Sequence, residues 1–438
     1  MEPRGAYWAP DLETMPREAL VSRQMELLRA TLVRAGRSPF YGPLFAARGI
    51  PSGGAVTPAE VAALPVTTKA DLRSAYPYGF LTVGREELVR LHSSSGTTGS
   101  ATVIFHTRRD MDVWTDLVAR CLWMVGVRPG DVFQNMMGYG LFTGGLGLHY
   151  GAERVGALTI PAGSGNTRRQ IQLMQDFGTT VLHIIPSYAL RLAGAFQEAG
   201  VDPVGDLPLR IALLGAEPHS EAVRRRIETL FGLRAYNSYG LSEMNGPGVA
   251  FECPEQDGMH LWEDSYLAEI VEPDTLRPLP DGEEGELLLT TLRREGMPLI
   301  RYRTKDLTRF IPGPCPCGRT HRRIDRIKGR TDDMLILKGV NIYPIQVERV
   351  LMGIPGVGHN YLITLDTKDY LDRMKVSVEI EREFFTGDLK TLEALRRRIT
   401  AELRDEILIT PEVELVEADS LPKSEGKAVR VVDQRQAT

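Results

Sequence analysis

The runs Val181-Leu182-His183-Ile184-Ile185-Pro186 and Arg210-Ile211-Ala212-Leu213-Leu214-Gly215 decide the fold. The first is rich in β-branched residues and stops at Pro186, which has no N–H for a sheet ladder. Residues 187–198 then carry a helical pattern that Gly200 ends. The second run is apolar throughout and reads as a buried strand that stops at Gly215. Ser220 can cap the helix that follows, and that helix ends near Gly232. Strand–helix–strand alternation of this kind predicts parallel sheets covered by helices. Ligands bind such sheets at the carboxyl ends of strands, and Gly215-Ala216-Glu217-Pro218 stands at one.

Outward from this centre, residues 1–75 read as helical and polar. Thr57-Pro58-Ala59-Glu60 combines a capping box with proline at the first helical position. Residues from about 250 to 327 change character, with the turn Pro280-Asp281-Gly282 and the short strand Glu286-Leu287-Leu288-Leu289-Thr290-Thr291, and read as an added β region. Near Gly329-Arg330-Thr331-Asp332-Asp333 the pattern resets. The remainder reads as a small α+β unit, with strands at 375–380 and 413–416 around a helix from about 389 to 404. The expected fold class is therefore α/β. A large N-terminal domain of helix-covered sheets with an added β region spans 1–328, and a small α+β domain spans 329–438.

A chain of 438 residues has room for two or three domains and an ample core. Its net charge of -5, with no dense basic run or aromatic-basic interleaving, argues against a nucleic-acid partner. The start Met1-Glu2-Pro3-Arg4-Gly5-Ala6-Tyr7-Trp8 has no apolar signal-peptide region, and no apolar stretch is long enough to span a bilayer. The expected address is the cytoplasm, without membrane association.

Five segments carry candidate chemistry, each with a plain structural alternative. Ser93-Ser94-Ser95-Gly96-Thr97-Thr98-Gly99 packs five hydroxyls and two glycines into seven residues, which suits close approach to phosphate oxygens. It lacks the lysine of the G-x-x-x-x-G-K-[ST] loop and reads equally as a surface turn. Glu243, after Tyr236-Asn237-Ser238-Tyr239-Gly240-Leu241-Ser242, is a carboxylate that can hold Mg²⁺ against phosphate, or an exposed side chain after a turn. Asp306, in Arg301-Tyr302-Arg303-Thr304-Lys305-Asp306, can accept from ribose hydroxyls or cap a turn. Gly329 to Met334 with Lys338-Gly339-Val340-Asn341 reads as a linker and strand. Leu421-Pro422-Lys423-Ser424-Glu425-Gly426-Lys427 reads as a basic tail.

In their order these segments resemble the adenylate-forming superfamily of acyl-CoA synthetases and nonribosomal adenylation domains. They are most similar to phenylacetate–CoA ligases and related aryl-acid–CoA ligases. The phrases that carry the resemblance are SSSGTTG (93–99), YGLFTGGLGLHYG (139–151), YNSYGLSE (236–243), MPLIRYRTKD (297–306), GRTDDMLILKGVNIYP (329–344) and LPKSEGKAVRV (421–431). The resemblance implies a two-step reaction. A carboxylate attacks the α-phosphorus of ATP to give an acyl-adenylate and pyrophosphate, then the C-terminal domain rotates as a mobile lid and CoA attacks the activated carbonyl. It implies that Ser94, Ser95, Gly96, Thr97, Thr98 and Gly99 cradle the outer phosphates and that Glu243 holds Mg²⁺. Asp306 would bind the ribose, Asn237 the adenine edge within Asn237-Ser238-Tyr239-Gly240, and Ala216-Glu217-Pro218 would wall its face. Lys427 would bridge the substrate carboxylate and the α-phosphate. Arg330 would contact the nucleotide, Asp332 would be the hinge, and Gly339, Val340 and Asn341 would serve the CoA side. One departure stands out: Ser100-Ala101-Thr102 follows Gly99, so the loop has no adjacent lysine for the outer phosphates.

The aryl pocket is expected from Tyr139, Phe142, Gly144, Gly145, Pro186, Tyr188 and Gly215, because rings with small residues suit a flat group. Tyr188 and Phe142 read equally as core. His149, Tyr150 and His183 receive no role. Cys253, His260, Cys315 and Cys317 form a Cys3His set suited to structural zinc, although C-x-C is tighter than the usual C-x₂-C knuckle. They read otherwise as reduced, partly buried cysteines. The expected partners are an aryl carboxylic acid, ATP and CoA. A homodimer is a possibility left open, with Trp8 a candidate contact. Two other functions share these features: an adenylation enzyme that loads a carrier protein, and a nucleotide-binding sensor, which would need neither Glu243 nor Lys427.

Overall fold

Both decisive runs form strands. Val181–Ile184 and Ile211–Leu214 are buried at every position and pair in parallel. The helix between them, Pro186–Ala199, opens on its proline and closes on Gly200 at φ 67°. Ser220 caps the helix Glu221–Phe231, its hydroxyl accepting from the Val223 N–H, and Gly232 ends it at φ 63°. The parallel ladder continues through Val132–Asn135 to Leu158–Ile160 on one side and to Arg234–Leu241 on the other.

A computed structural model describes residues 5–50, 57–93, 102–141, 143–337, 340–368, 371–384, 389–422 and 428–435. Outside these lie the phosphate-loop candidates Ser94 to Gly99, the pocket candidate Phe142, the CoA-side candidate Gly339 and the candidate catalytic Lys427. The phosphate-loop segment connects Leu88–Ser93 to Val103–Thr107, two antiparallel strands.

The region from about 250 to 327 is not an addition set apart from the main sheet. Asn245 at φ 76° and Gly246 at φ 91° reverse the chain directly after Glu243. Gly246–Glu252 therefore pairs antiparallel with the last parallel strand. Met259–Leu261, Arg323–Ile324 and Phe310–Ile311 extend this edge, giving nine strands in one sheet. The close pairing requires Gly240, where a Cβ would lie 1.8 Å from the Gly246 carbonyl oxygen. The rest of the region, Tyr266–Val271, Gly285–Thr291 and Tyr302–Thr308, joins Gly329–Arg330 in a four-stranded antiparallel sheet.

The N-terminal helices clamp this second sheet. Along Arg17–Ala35, Gln24 donates to the Tyr266 carbonyl and Thr31 to that of Leu292. The helix expected after Thr57 forms with its capping box, but as a single turn, Pro58–Val61. Trp8 is buried within its own chain, donating to Asp116 at 2.8 Å and meeting Trp123 edge-on.

In the C-terminal part, Val357–Lys368 and Leu371–Ile380 form a long hairpin flanked in parallel by Val431–Asp433 and Glu412–Val416. Helices Pro344–Met352 and Leu389–Ile407 cover it. One apolar core lies around Leu28, Trp114, Leu122, Phe251 and Trp262. A second runs without a break from Leu190, Ile227 and Phe231 to Leu351, Tyr361 and Val376, and so joins the parallel sheet's helices to the C-terminal sheet. Among the described residues, no helix is long and apolar enough to cross a membrane.

Candidate active site

Adjacent strand ends bring the candidate residues together. Gly215 follows Ile211–Leu214 and lies directly on the neighbouring strand, where an added Cβ would meet the Ser238 hydroxyl at 2.4 Å. Ser238 donates to the Leu214 carbonyl at 3.0 Å. Ala216 then takes φ 69°, an uncommon conformation for a residue with a side chain, and turns the chain across the strand end. Glu217 binds on both oxygens. One accepts the Ser187 N–H at 2.6 Å, and the other accepts the N–H of Ala428, the residue after Lys427, at 3.3 Å. The C-terminal segment is thereby tied to the end of the parallel sheet. Asn237 is half-buried, with its N–H donating to Glu252 at 2.7 Å.

Tyr239 leads to the second carboxylate. Its hydroxyl donates to Asp306 Oδ2 at 2.6 Å, and Arg330 lies 3.6 Å from Oδ1. Burial lifts the Asp306 carboxyl from 3.8 to about 6, against the downward pull of Tyr239 and Arg330. The Arg330 guanidinium also forks onto Asp332 at 2.8 and 3.0 Å. Burial alone would raise the Asp332 carboxyl, but that fork holds it below its ordinary value. The hinge candidate is thus bonded to the nucleotide-site candidate.

Glu243 lies on a short 3-10 turn, Ser242–Met244, and is buried. Its Oε1 faces the Thr102 hydroxyl at 3.4 Å and the Lys69 ammonium at 3.8 Å. The Tyr302 hydroxyl also bonds to Glu243; burial and that carboxylate hold the phenol well above its usual range. Arg294 fixes the turn by donating to the Glu243 carbonyl at 2.6 Å and to the Asn245 side chain. Lys69 and Tyr302 had no role in the sequence reading. Lys69 opens the helix Lys69–Ser74, where it reads as an ordinary first-turn residue after the Thr68 cap. Nothing local marks it as a neighbour of Glu243.

The aryl-pocket candidates divide. The Tyr139 hydroxyl meets His149 Nδ1 at 3.2 Å, and His149 Nε2 lies 3.2 Å from Glu153. Tyr188 packs against the second core with its hydroxyl 3.1 Å from Thr167. Pro186 and Gly144 are buried. At Gly145, an added Cβ would strike the Gly138 carbonyl at 2.4 Å, so this glycine lets the helix Thr143–Val155 approach the backbone below it. His183 is a core histidine, bonded to Asn135 at 2.9 Å and pushed down to about 3 by burial. Val340 and Asn341 lie on a hairpin opposite Leu337 and Ile336, with Asn341 exposed.

Cys253, His260, Cys315 and Cys317 converge, their ligand atoms all within 4.8 Å of one another. Cys253 Sγ lies 3.7 Å from Cys315 Sγ, and Cys317 Sγ lies 3.2 Å from His260 Nε2. His260 is in a strand rather than a turn, and its Nδ1 faces the His321 carbonyl at 3.0 Å. Hydrogen bonds from Cys253 and His260 drive the Cys317 thiol far down, against burial. The set therefore favours a thiolate.

Residues 66–292 match the AMP-binding enzyme family, and residues 339–435 match the AMP-binding enzyme C-terminal domain. The phenylacetate–coenzyme A ligase of Thermus thermophilus is 45% identical over 98% of this chain and 99% of its own length. That of Escherichia coli is 42% identical over 97% of each. The chain belongs to the phenylacetate–CoA ligase family of AMP-binding enzymes. A solved structure of 2-hydroxyisobutyryl-CoA ligase in its postadenylation state, 28% identical, superposes with a TM-score of 0.93 over 99% of this chain and 94% of that one. The same ligase with CoA in its thioesterification state scores 0.73 over 99% of this chain and 93% of that one. The chain thus superposes better on that ligase's postadenylation structure than on its thioesterification structure.

Proposed function

We propose that the protein is an AMP-forming ligase that joins phenylacetate to CoA through an acyl-adenylate. One arrangement carries the reading: Ala428, Glu217, Gly215, Ser238, Tyr239 and Asp306 form a contiguous chain of contacts across the strand ends. On this reading the neighbour of Lys427, the Asp306 carboxylate and Glu243 border one nucleotide crevice.

ATP lies across that crevice. Asp306 accepts from the ribose hydroxyls, for which its second oxygen is suited once Tyr239 has taken the first. Asn237 meets the adenine edge, and Ala216-Glu217-Pro218 covers the adenine face. Residues 94–99 would serve the outer phosphates, and Lys69, 3.8 Å from Glu243, would supply a cation that this segment lacks. Lys427 would bridge the substrate carboxylate and the α-phosphate, a task that suits a point charge on a flexible stem. Glu243 would hold Mg²⁺: a buried carboxylate beside the Thr102 hydroxyl is a hard-oxygen donor set of the kind this ion takes. When bound, Mg²⁺ offsets phosphate charge. Arg330 and Asp332 then change partners as the C-terminal unit turns, and the hairpin with Val340 and Asn341 comes to the CoA side. We place the division between the units at the hinge near Asp332, after the last ladder pair, Asp306 with Arg330.

The Cys3His set fits structural zinc. Tetrahedral Zn²⁺ with Zn–S bonds of about 2.3 Å sets its sulfurs about 3.8 Å apart, close to the Cys253–Cys315 separation. Four protein ligands leave no open position, so the metal would staple the sheet edge rather than act on substrate. Free cysteines throughout accord with a cytoplasmic address.

The test is incubation with ATP, Mg²⁺, CoA and a panel of aryl and arylacetic acids, with products read by mass spectrometry. Phenylacetyl-CoA with AMP is the expected result. Adenylate without thioester would move the reading to carrier-protein loading, and no adenylate from any acid would refute it.

A further inference from the structure

Few polar contacts cross between the C-terminal unit and the parallel sheet, and one is unlike the others. Arg226 reaches Glu381 and the Val357 carbonyl from a partly exposed position, where ion pairs contribute little. Ala428 N–H meets Glu217 at the longer distance of 3.3 Å. Glu348 is different. It projects from the C-terminal unit's helix Pro344–Met352, is 8% exposed, and accepts the Ser220 N–H at 2.9 Å. Ser220 caps Glu221–Phe231, so a side chain from one unit sits on the positive helix end of the other. Tyr361 also hydrogen-bonds Glu348, and Arg430 lies over the Tyr361 ring at 4.5 Å. A buried carboxyl must keep hydrogen-bond partners, and the Ser220 N–H exists for it only in this arrangement of the units.

We propose that Glu348 is a positioning residue that latches the C-terminal unit in the orientation serving adenylation. The latch rests on the ligase reading above. Release of the unit for thioester formation must pull Glu348 off the Ser220 helix end, so the latch favours the first half-reaction over the second.

The site's charges give it a proton dependence. Burial lifts the Glu348 carboxyl to about 7, against hydrogen bonding from Ser220 and the charge of Arg430, while Glu217 adds to the rise. His219 and His359 line the same cleft, held by burial at about 3 and 4, and stay neutral at physiological pH. A carboxyl raised in the latched state and solvated in the released one favours the latch at low pH. The latch therefore loosens as pH climbs through about 7.

The experiment compares the full-length protein with E348A and E348Q. It measures phenylacetate-dependent ATP–pyrophosphate exchange and the CoA-dependent consumption of supplied phenylacetyl-adenylate. E348A is expected to lower exchange about tenfold, the upper worth of one buried hydrogen bond, and to leave thioester formation unchanged or faster. Equal losses in both half-reactions, or no loss in either, overturn the latch. If E348A does not melt cooperatively, E348Q decides, because its amide oxygen still accepts from Ser220. Its ratio of exchange to thioester formation should be flat between pH 6 and 8, where the wild-type ratio falls. A wild-type pH dependence in E348Q overturns the latch. A wild-type protein that exchanges with no aryl acid refutes the ligase reading, whereas parallel losses in an active protein refute the latch alone.

Discussion

At the scale of single residues, the site is built from carboxylates held where they are costly. Asp306 is the sharpest case: burial lifts it to about 6, while its Tyr239 and Arg330 contacts recover only part of the penalty. An acid whose folded value is raised binds protons more tightly folded than unfolded. It therefore subtracts stability increasingly as pH rises from about 4 through 6. Asp306→Asn should stabilise the protein by up to about 3 kcal/mol at pH 8 and by little at pH 4, while weakening ATP binding. Thermal melts at both pH values check this, and an equal shift at each would refute it. Lys69 gives a second prediction. Its ammonium stands 3.8 Å from Glu243, which also faces Thr102, and the proposed phosphate segment 94–99 has no lysine of its own. Lys69→Ala should lower kcat/KM for ATP in pyrophosphate exchange by about 10²-fold, the usual cost of one preorganised donor. It should leave CoA-dependent consumption of a supplied adenylate unchanged. Glu243 and Asp306 could be proposed from the sequence because each stands in a recognisable phrase. Lys69 and Tyr302 were not, because their value lies in meeting Glu243 across the fold.

At the scale of elements, the parallel half of the main sheet was readable because its strands are apolar at every position between clear helix stops. The antiparallel half read only as an added β region, and its continuity with the main sheet was not legible, for a related reason. Gly246–Glu252 and Met259–Leu261 are nearly wholly buried, so they lack the alternation that marks a half-exposed strand. What joins them to the sheet is the reversal at Asn245 and Gly246, whose positive φ values are tertiary facts. This edge carries the cysteine cluster, and the backbone around it is tied to the N-terminus: Tyr7 donates to the Cys317 carbonyl and Arg319 pairs with Glu13, both buried or nearly so. Purified protein should contain one zinc per chain by elemental analysis. Cys315→Ser should remove the metal and destabilise the fold by several kcal/mol, as loss of a structural metal does. Retention of both metal and melting temperature in that variant would rule the site out.

At the scale of the whole molecule, the second core runs from Leu190 and Ile227 into Leu351 and Tyr361, so the two units share apolar contact. A packed apolar joint favours discrete arrangements over loose motion, and the proposed two-step reaction uses two of them in turn. The two ends of the C-terminal unit then have separable duties. Asp332 is held by the Arg330 fork and stands where the chain leaves the four-stranded sheet. Lys427 precedes Ala428, which is bonded to Glu217 at the crevice. Lys427→Ala removes the cation needed while two anions approach, and should cut pyrophosphate exchange by about 10²- to 10³-fold. Thioester formation from supplied phenylacetyl-adenylate should survive, since that step joins a thiol to a carbonyl with no second anion to bring in. Asp332→Pro should do the reverse. Proline fixes φ near −65° and denies the hinge its change of conformation, so exchange persists while CoA-dependent turnover is lost. Rapid-quench assays of each half-reaction separate the two outcomes. Equal losses in both half-reactions for either variant would mean that the unit does not divide its work between two orientations.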